Sequence, residues 1–386
     1  MPEPIVVDAD GHVVEPPEML TEYIEPAFRE RIPKYVKDEQ GREFWEPRDP
    51  TISRAQSWFP RERTLVTCLP NSAGRPWKEV LGRGFREGLA GAWDPHARIP
   101  DMDSEGIDIA VLYPTYALGY VEEAPLQSAT YRAYNNWLAD YCAAYPKRLY
   151  GVAAVALQDV QGAAKELRRC VKEKGFLGAF IRPNPYIDGK KLHDPIYDPF
   201  WREAEALDVP IGLHPYLMND MPGAVRGLDL RDDFQEDVFF KQALGNPVDM
   251  ISALISFTAG GILERFPKLR VAFLEANGGW IVPMLERLDH HYEVWRDQVP
   301  YLKHKPSELF ARSGFISFDA DEKLLAKTAE LLGADRIIWA SDYPHPDAKM
   351  PGVVKELRES LEPLPEESRA TILGRSAASL YGLELS

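Results

Sequence analysis

A carboxylate and an imidazole, Asp10-Gly-His12, close the first apolar run of the chain, Ile5-Val-Val7. In an extended strand, residues two apart point to the same side, so this pair can face one ion. The same event recurs downstream. Val209-Pro-Ile-Gly-Leu ends in His214, Val271-Ala-Phe-Leu ends in Glu275, and Ile337-Ile-Trp-Ala-Ser ends in Asp342. Imidazoles and carboxylates gathered around a divalent ion lower the pKa of bound water or polarise a substrate oxygen, provided one coordination position stays open. A donor set without thiolate suits Zn, Mn or Fe.

Further candidates flank these points. Two prolines stiffen Tyr343-Pro-His345-Pro-Asp347 and aim His345 toward the same place. Asp289-His290-His291-Tyr292 follows Glu275 by three to four helical turns, and His291 is a further candidate ligand. Asp10, His12, His214, Asp342, Glu275, His345 and His291 together exceed what one ion takes from protein, which brings one or two ions into view. A metal-bound hydroxide would attack the substrate, with Asp342 or Glu275 accepting the proton and His345 serving as acid or ligand. Arg182 and Asn184 lie just past another apolar run, where they could grip a substrate carboxylate.

Side chains so far apart in sequence meet only if strand ends converge. Eight short apolar runs punctuate the chain: Ile5–Val7, Ile109–Tyr113, Leu149–Val155, Gly178–Arg182, Val209–His214, Val271–Glu275, Phe315–Phe318 and Ile337–Ser341. Helical periodicity fills Thr130–Tyr145, Gln161–Lys174, Pro199–Leu207, Val248–Phe266 and Lys323–Leu332. Strands alternating with helices predict an α/β fold, a distorted TIM (β/α)8 barrel occupying residues 1–386 as a single domain. Two stretches break the rhythm. Residues 15–100, rich in Pro, Arg and Trp (Trp45, Trp58, Trp77, Trp93), read as a lid or substrate-binding insertion after strand one. Residues 216–247 form a second insertion after strand five, and 351–386 read as amphipathic helices closing the barrel.

Composition bounds the partners. The chain has 386 residues, 60 acidic and 45 basic, for a net charge of −15, with no basic run to follow a phosphate backbone. This excludes nucleic acid and disfavours anionic membranes. Cys68, Cys142 and Cys170 are too few and too scattered for a disulfide framework, which fits a reducing cytoplasm. Met1-Pro-Glu-Pro leads directly into a strand rather than a signal peptide. The most apolar internal stretch, Ala253–Leu263, is interrupted by Ser256, Thr258 and two glycines and reads as too short to span a bilayer. The expected partner is a small molecule.

Asp8-x-Asp10-x-His12, His214-Pro, Glu275-x-x-Gly278-Gly-Trp280 and Ser341-Asp342-Tyr-Pro-His345 resemble the motifs of the amidohydrolase-related group that includes aminocarboxymuconate semialdehyde and resorcylate decarboxylases. The resemblance spans nearly the whole chain. It implies a barrel with one catalytic metal, often Zn or Mn, held by Asp10, His12, His214 and Asp342, and a homodimer. Asp10 stands where that group often has His, and Glu275 stands where its decarboxylases usually place a catalytic histidine. A carboxylate can replace such an acid only if its pKa is raised strongly. The expected activity is therefore hydrolase or lyase chemistry on a small organic acid or its derivative. The ligand surplus also resembles a nonheme di-iron monooxygenase branch from platensimycin- and platencin-type biosynthesis, which would use two irons and O2 on a hydrophobic, terpenoid-like substrate. A catalytically idle ligand-binding barrel is the third reading.

Overall fold

The computed structural model describes residues 4–51, 59–60, 62–216, 221, 239 and 241–385. Among the described residues twelve strands are formed: β1 Val7–His12, β2 Lys34–Lys37, β3 Glu43–Glu46, β4 Thr64–Leu65, β5 Ile109–Tyr113, β6 Leu149–Gly151, β7 Ala153–Ala154, β8 Ala179–Ile181, β9 Ile211–Leu213, β10 Val271–Phe273, β11 Gly314–Asp319 and β12 Ile337–Ala340. β1, β5 and β6 pair in parallel, and so do β7 through β12 in the order β12-β11-β10-β9-β8-β7. Only Val152 separates β6 from β7, so the two are one interrupted strand and the parallel set has eight positions, one for each apolar run. The seam between β12 and β1 is closed beyond the strand ends, where the His12 amide donates to Tyr343 O at 2.7 Å and the Ser341 amide donates to Asp8 Oδ1 at 2.9 Å. The fold is a TIM barrel, with all eight ring strands buried nearly throughout, as a parallel sheet covered by helices requires.

Helices Ala124–Ala143, Val160–Lys174, Asp198–Leu207 and Leu325–Leu332 occupy the periodic stretches. The Val248–Phe266 pattern resolves into two helices, Asn246–Phe257 and Ile262–Arg265, because Gly261 between them adopts φ +81°. Gln242–Arg265 as a whole is long and apolar enough to cross a membrane by length and composition, longer than Ala253–Leu263 alone suggested, and 61% of its most apolar 18-residue window is buried. Its Phe257 packs edge-on against Trp201 and Phe273, with ring centroids 5.4 and 6.3 Å apart. Burial of each such ring is worth roughly 1.5–3 kcal/mol, so this apolar face is spent on the barrel core.

The 15–100 stretch holds short elements. β2, β3 and β4 form a small antiparallel sheet, and Trp45 on β3 is buried. Trp58 and most of the 216–247 insertion lie outside the described residues. At the C-terminus, Tyr381 of the helix Ser376–Tyr381 donates its hydroxyl to Ala9 O at 2.8 Å, tying the last helix to β1. Cys68, Cys142 and Cys170 are buried free thiols.

Candidate metal centre

Three backbone features build the site. β1 departs from regular pairing between Asp8 and Gly11. Plain two-residue alternation therefore does not by itself set the directions of Asp10 and His12. Gly11 is required by its neighbours, since a Cβ there would sit 2.6 Å from Asp8 Oδ2 and 2.8 Å from Arg98 Nη2. Glu275 and Asp342, just past β10 and β12, adopt left-handed backbone with φ 43° and 53°. That conformation costs a non-glycine residue about 1–2 kcal/mol, and such strain gathers at functional sites.

These turns bring six of the seven expected ligands together. Asp10, His12 and His214 offer ligand atoms all within 4.8 Å of one another, and so do His12, Asp342 and His345. His12 Nε2 is 3.6 Å from Asp10 Oδ1, 3.6 Å from Asp342 Oδ1 and 3.2 Å from His214 Nε2. Glu275 Oε2 is 2.8 Å from His214 Nε2, and His345 Nδ1 is 2.7 Å from Asp342 Oδ1.

The seventh does not join them. His291 is exposed on the helix Ile281–Val294, with its Nδ1 against Arg287 O at 3.0 Å. At 1.5 Å rise per residue it stands roughly 15 Å along the helix axis from Ile281. The helix that begins near the strand end carries this ring away from it, so His291 is struck from the ligand set.

Hydrogen bonds fix the two central imidazoles. His12 Nδ1 faces Pro114 O at 2.9 Å and His214 Nδ1 faces Pro215 O at 2.8 Å. A carbonyl oxygen only accepts, so each Nδ1 carries the proton and each Nε2 presents a lone pair. Burial holds both rings neutral. It pushes His12 well below the usual imidazole range, helped by the nearby His345 and His214, and it lowers His214, with Asp10 partly offsetting and Arg182 adding to the effect. Beside these lone pairs, 3.6 Å from His12 Nε2 and 4.0 Å from His214 Nε2, lies Asp10 Oδ1, buried with no hydrogen-bond partner. Two imidazole lone pairs facing each other across 3.2 Å and a buried, unpartnered Asp10 oxygen beside them are stabilised together by a cation. The residues fit a divalent metal.

The acidic groups are shifted the other way. Burial raises Asp10 and Asp342 well above the carboxylate range, and it pushes Glu275 up to about 8. Glu275 therefore keeps its proton near neutrality in the metal-free protein, as a carboxyl standing in a histidine acid's place requires. For His345, burial works against the charged ring, but the Asp342 carboxylate outweighs it and the ring rises to about 9. Glu275 and Asp342 also line one cavity of about 350 Å³, together with Asn246, Asp319 and Asp347. A cavity of that size suits a small molecule.

Arg182 is buried past β8, its Nη1 donating to Leu118 O at 3.3 Å and its guanidinium 5.1 Å from the Tyr216 ring centroid. Asn184 is buried and donates to Asp249 Oδ2 at 3.3 Å.

Sequence reasoning gave no role to three supporting groups. Asp8 accepts from the Ser341 amide and hydroxyl, at 2.9 and 2.6 Å, and so sets the residue before Asp342. Arg98 donates to His12 O at 2.7 Å and lies over the Tyr343 ring. Thr115, past the end of β5, reaches His345 Nε2 at 2.8 Å. Thr115 obeys the same strand-end rule that exposed the others, but a hydroxyl drew no notice beside carboxylates and imidazoles.

A family model described as amidohydrolase matches residues 7–383. A 2-amino-3-carboxymuconate-6-semialdehyde decarboxylase from Dictyostelium discoideum is 28% identical over 308 residues, 79% of this chain and 81% of that protein. An amidohydrolase structure from Mycobacterium avium subsp. paratuberculosis superposes over the full length of both chains with a TM-score of 0.78 and 20% identity. A dihydroxybenzoic acid decarboxylase from Polaromonas sp., described with bound manganese and the inhibitor 2-nitroresorcinol, gives a TM-score of 0.65 at 20% identity, covering 100% of this chain and 98% of that one.

Proposed function

Because the chain belongs to the amidohydrolase family, we propose that this enzyme is a divalent-metal-dependent lyase that removes CO2 from a small aromatic carboxylic acid. The observation that carries the reading is the shared cavity: Glu275 and Asp342, one on each flank of the imidazole pair, both face the same 350 Å³ space. The decarboxylases among its relatives favour loss of CO2 over the hydrolysis expected from metal-activated water. Manganese is the ion proposed, by analogy with the Polaromonas protein.

Asp10, His12, His214 and Asp342 would hold the metal, which supplies a Lewis acid for a substrate oxygen beside the reacting carbon. The protein's own groups do the rest. Arg182, buried past the end of β8, would grip the departing carboxylate; the carbon–carboxylate bond breaks and CO2 leaves with its bonding pair left on carbon. Glu275 gives its proton to that carbon, forming the new C–H bond, and is reprotonated from solvent through the cavity. Asp319 and Asp347 on the cavity wall oppose a second carboxylate at the outward end of the substrate.

The test is to load purified protein with Mn2+, offer a panel of hydroxylated benzoates, and follow CO2 release with product mass. Loss of one CO2 without O2 consumption is the expected result. Gain of water by the substrate would establish hydrolytic or hydratase chemistry instead, and an O2-dependent product with two irons per chain would establish the oxygenase reading.

A further inference from the structure

The loop around His345 contains more hydrogen-bond information than a ligand assignment uses. Thr115 Oγ1 lies 2.7 Å from Val13 O and 2.8 Å from His345 Nε2. A carbonyl has no hydrogen to give, so the single hydroxyl hydrogen of Thr115 goes to Val13 O. The hydroxyl oxygen must then accept from His345, which places a hydrogen on Nε2. At the other side of the ring, Nδ1 shares one proton with Asp342 Oδ1 across 2.7 Å. Both ring nitrogens are thereby committed to hydrogen bonds.

Thr115 itself is held firmly. It precedes the short helix Tyr116–Leu118, and the buried carboxyl of Glu15 accepts from the Tyr116 and Ala117 amides at 2.8 and 3.0 Å. Val13 is fixed too, its amide donating to Tyr113 O at 3.0 Å. The tail of β1 and the tail of β5 are thus clamped together, and the clamp ends on the His345 ring.

We propose that Thr115 and His345 are positioning residues: Thr115 locks His345 with its Nε2 protonated, and His345 orients the Asp342 carboxylate toward a single metal ion without itself being a ligand. This rests on the metal reading of the site. It takes a second histidine, after His291, out of the expected ligand set. Hydrogen-bonded partners of this kind fix the direction of a ligating group, and their loss commonly lowers metal affinity ten- to a hundred-fold.

The experiment uses 15N-histidine-labelled full-length protein titrated with Zn2+, read by nitrogen NMR and by elemental analysis, with His345→Gln identifying the His345 signals. One Zn2+ per chain is expected. The His12 and His214 Nε2 signals should move to metal-bound positions while His345 retains a slowly exchanging Nε2–H. Thr115→Val should erase that protected N–H and weaken Zn2+ binding, Thr115→Ser should restore both, and His345→Gln should still bind one ion. Two ions per chain, with His345 losing its N–H on loading and His345→Gln falling to one, would overturn the proposal. So would an N–H signal indifferent to Thr115→Val. If the wild-type protein takes up no metal at all, the reading of the site fails, and the Nε2–H of the metal-free protein with its response to Thr115→Val still decides the Thr115 contact.

Discussion

The two halves of the barrel mouth are built on opposite principles. On the β1 and β9 side, His12 and His214 are fully buried, each ring is fixed by a carbonyl, and Gly11 sits where no Cβ fits. On the β10 and β12 side, the Glu275 and Asp342 side chains keep 22% and 17% exposure, sit on strained left-handed backbone and border the cavity. The first half is organised to hold something still. The second lends Asp342 to the proposed metal but also faces something that comes and goes, and accepts backbone strain in order to do so.

The comparison predicts variants that behave differently on the two sides. The largest effect belongs to the holding side: His214→Ala should abolish stoichiometric metal binding while circular dichroism shows an intact barrel, and full occupancy would break the distinction. Next is Glu275→Gln on the working side, which should retain the metal and lower the turnover number about 10²–10⁴-fold, the usual contribution of a proton donor. If it loses the metal instead, Glu275 belongs with the ligands.

A pH effect separates the supports of the holding side from its ligands. Burial raises Glu15 to about 7, although the Tyr116 and Ala117 amides oppose the shift. Between its unfolded value, about 4.5, and 7 the folded state therefore keeps a proton that the unfolded state releases, so stability is lost as pH rises through that window. Denaturant unfolding at pH 5 and pH 8 should show this loss, on the order of 2 kcal/mol, and Glu15→Gln should flatten it. An unchanged slope would refute the assignment. Smallest, and opposite in sign across the mouth, are two glycine exchanges. Glu275→Gly should relieve its positive φ and stabilise the metal-free protein by about 1 kcal/mol. Gly11→Ala should destabilise it, since its new Cβ would meet Asp8 and Arg98. Thermal melts of the pair would sharpen the contrast, and equal signs would dissolve it.

Much of this was legible in the sequence because parallel barrel strands are buried on both faces and so read as short apolar runs, and because polar residues terminating those runs converge by topology. All eight runs form ring strands, and Asp10, His12, His214, Glu275, Asp342 and His345 meet. His291 misled because proximity in sequence to a strand end is not proximity in space once a helix intervenes. The β2–β4 sheet escaped notice because strands of four, four and two residues carry too little alternation to read. The roles of Asp8 and Glu15 escaped because they consist of contacts with chain segments about 100 or more residues away, and one sequence displays no such pairings.

The most direct test is a diffraction measurement of the Mn2+-loaded protein at the manganese absorption edge. The account predicts one anomalous peak per chain, about 2.0–2.3 Å from His12 Nε2 and His214 Nε2 and in reach of Asp10 and Asp342 oxygens. A peak on the cavity wall away from both imidazoles, or none at saturating metal, would contradict it.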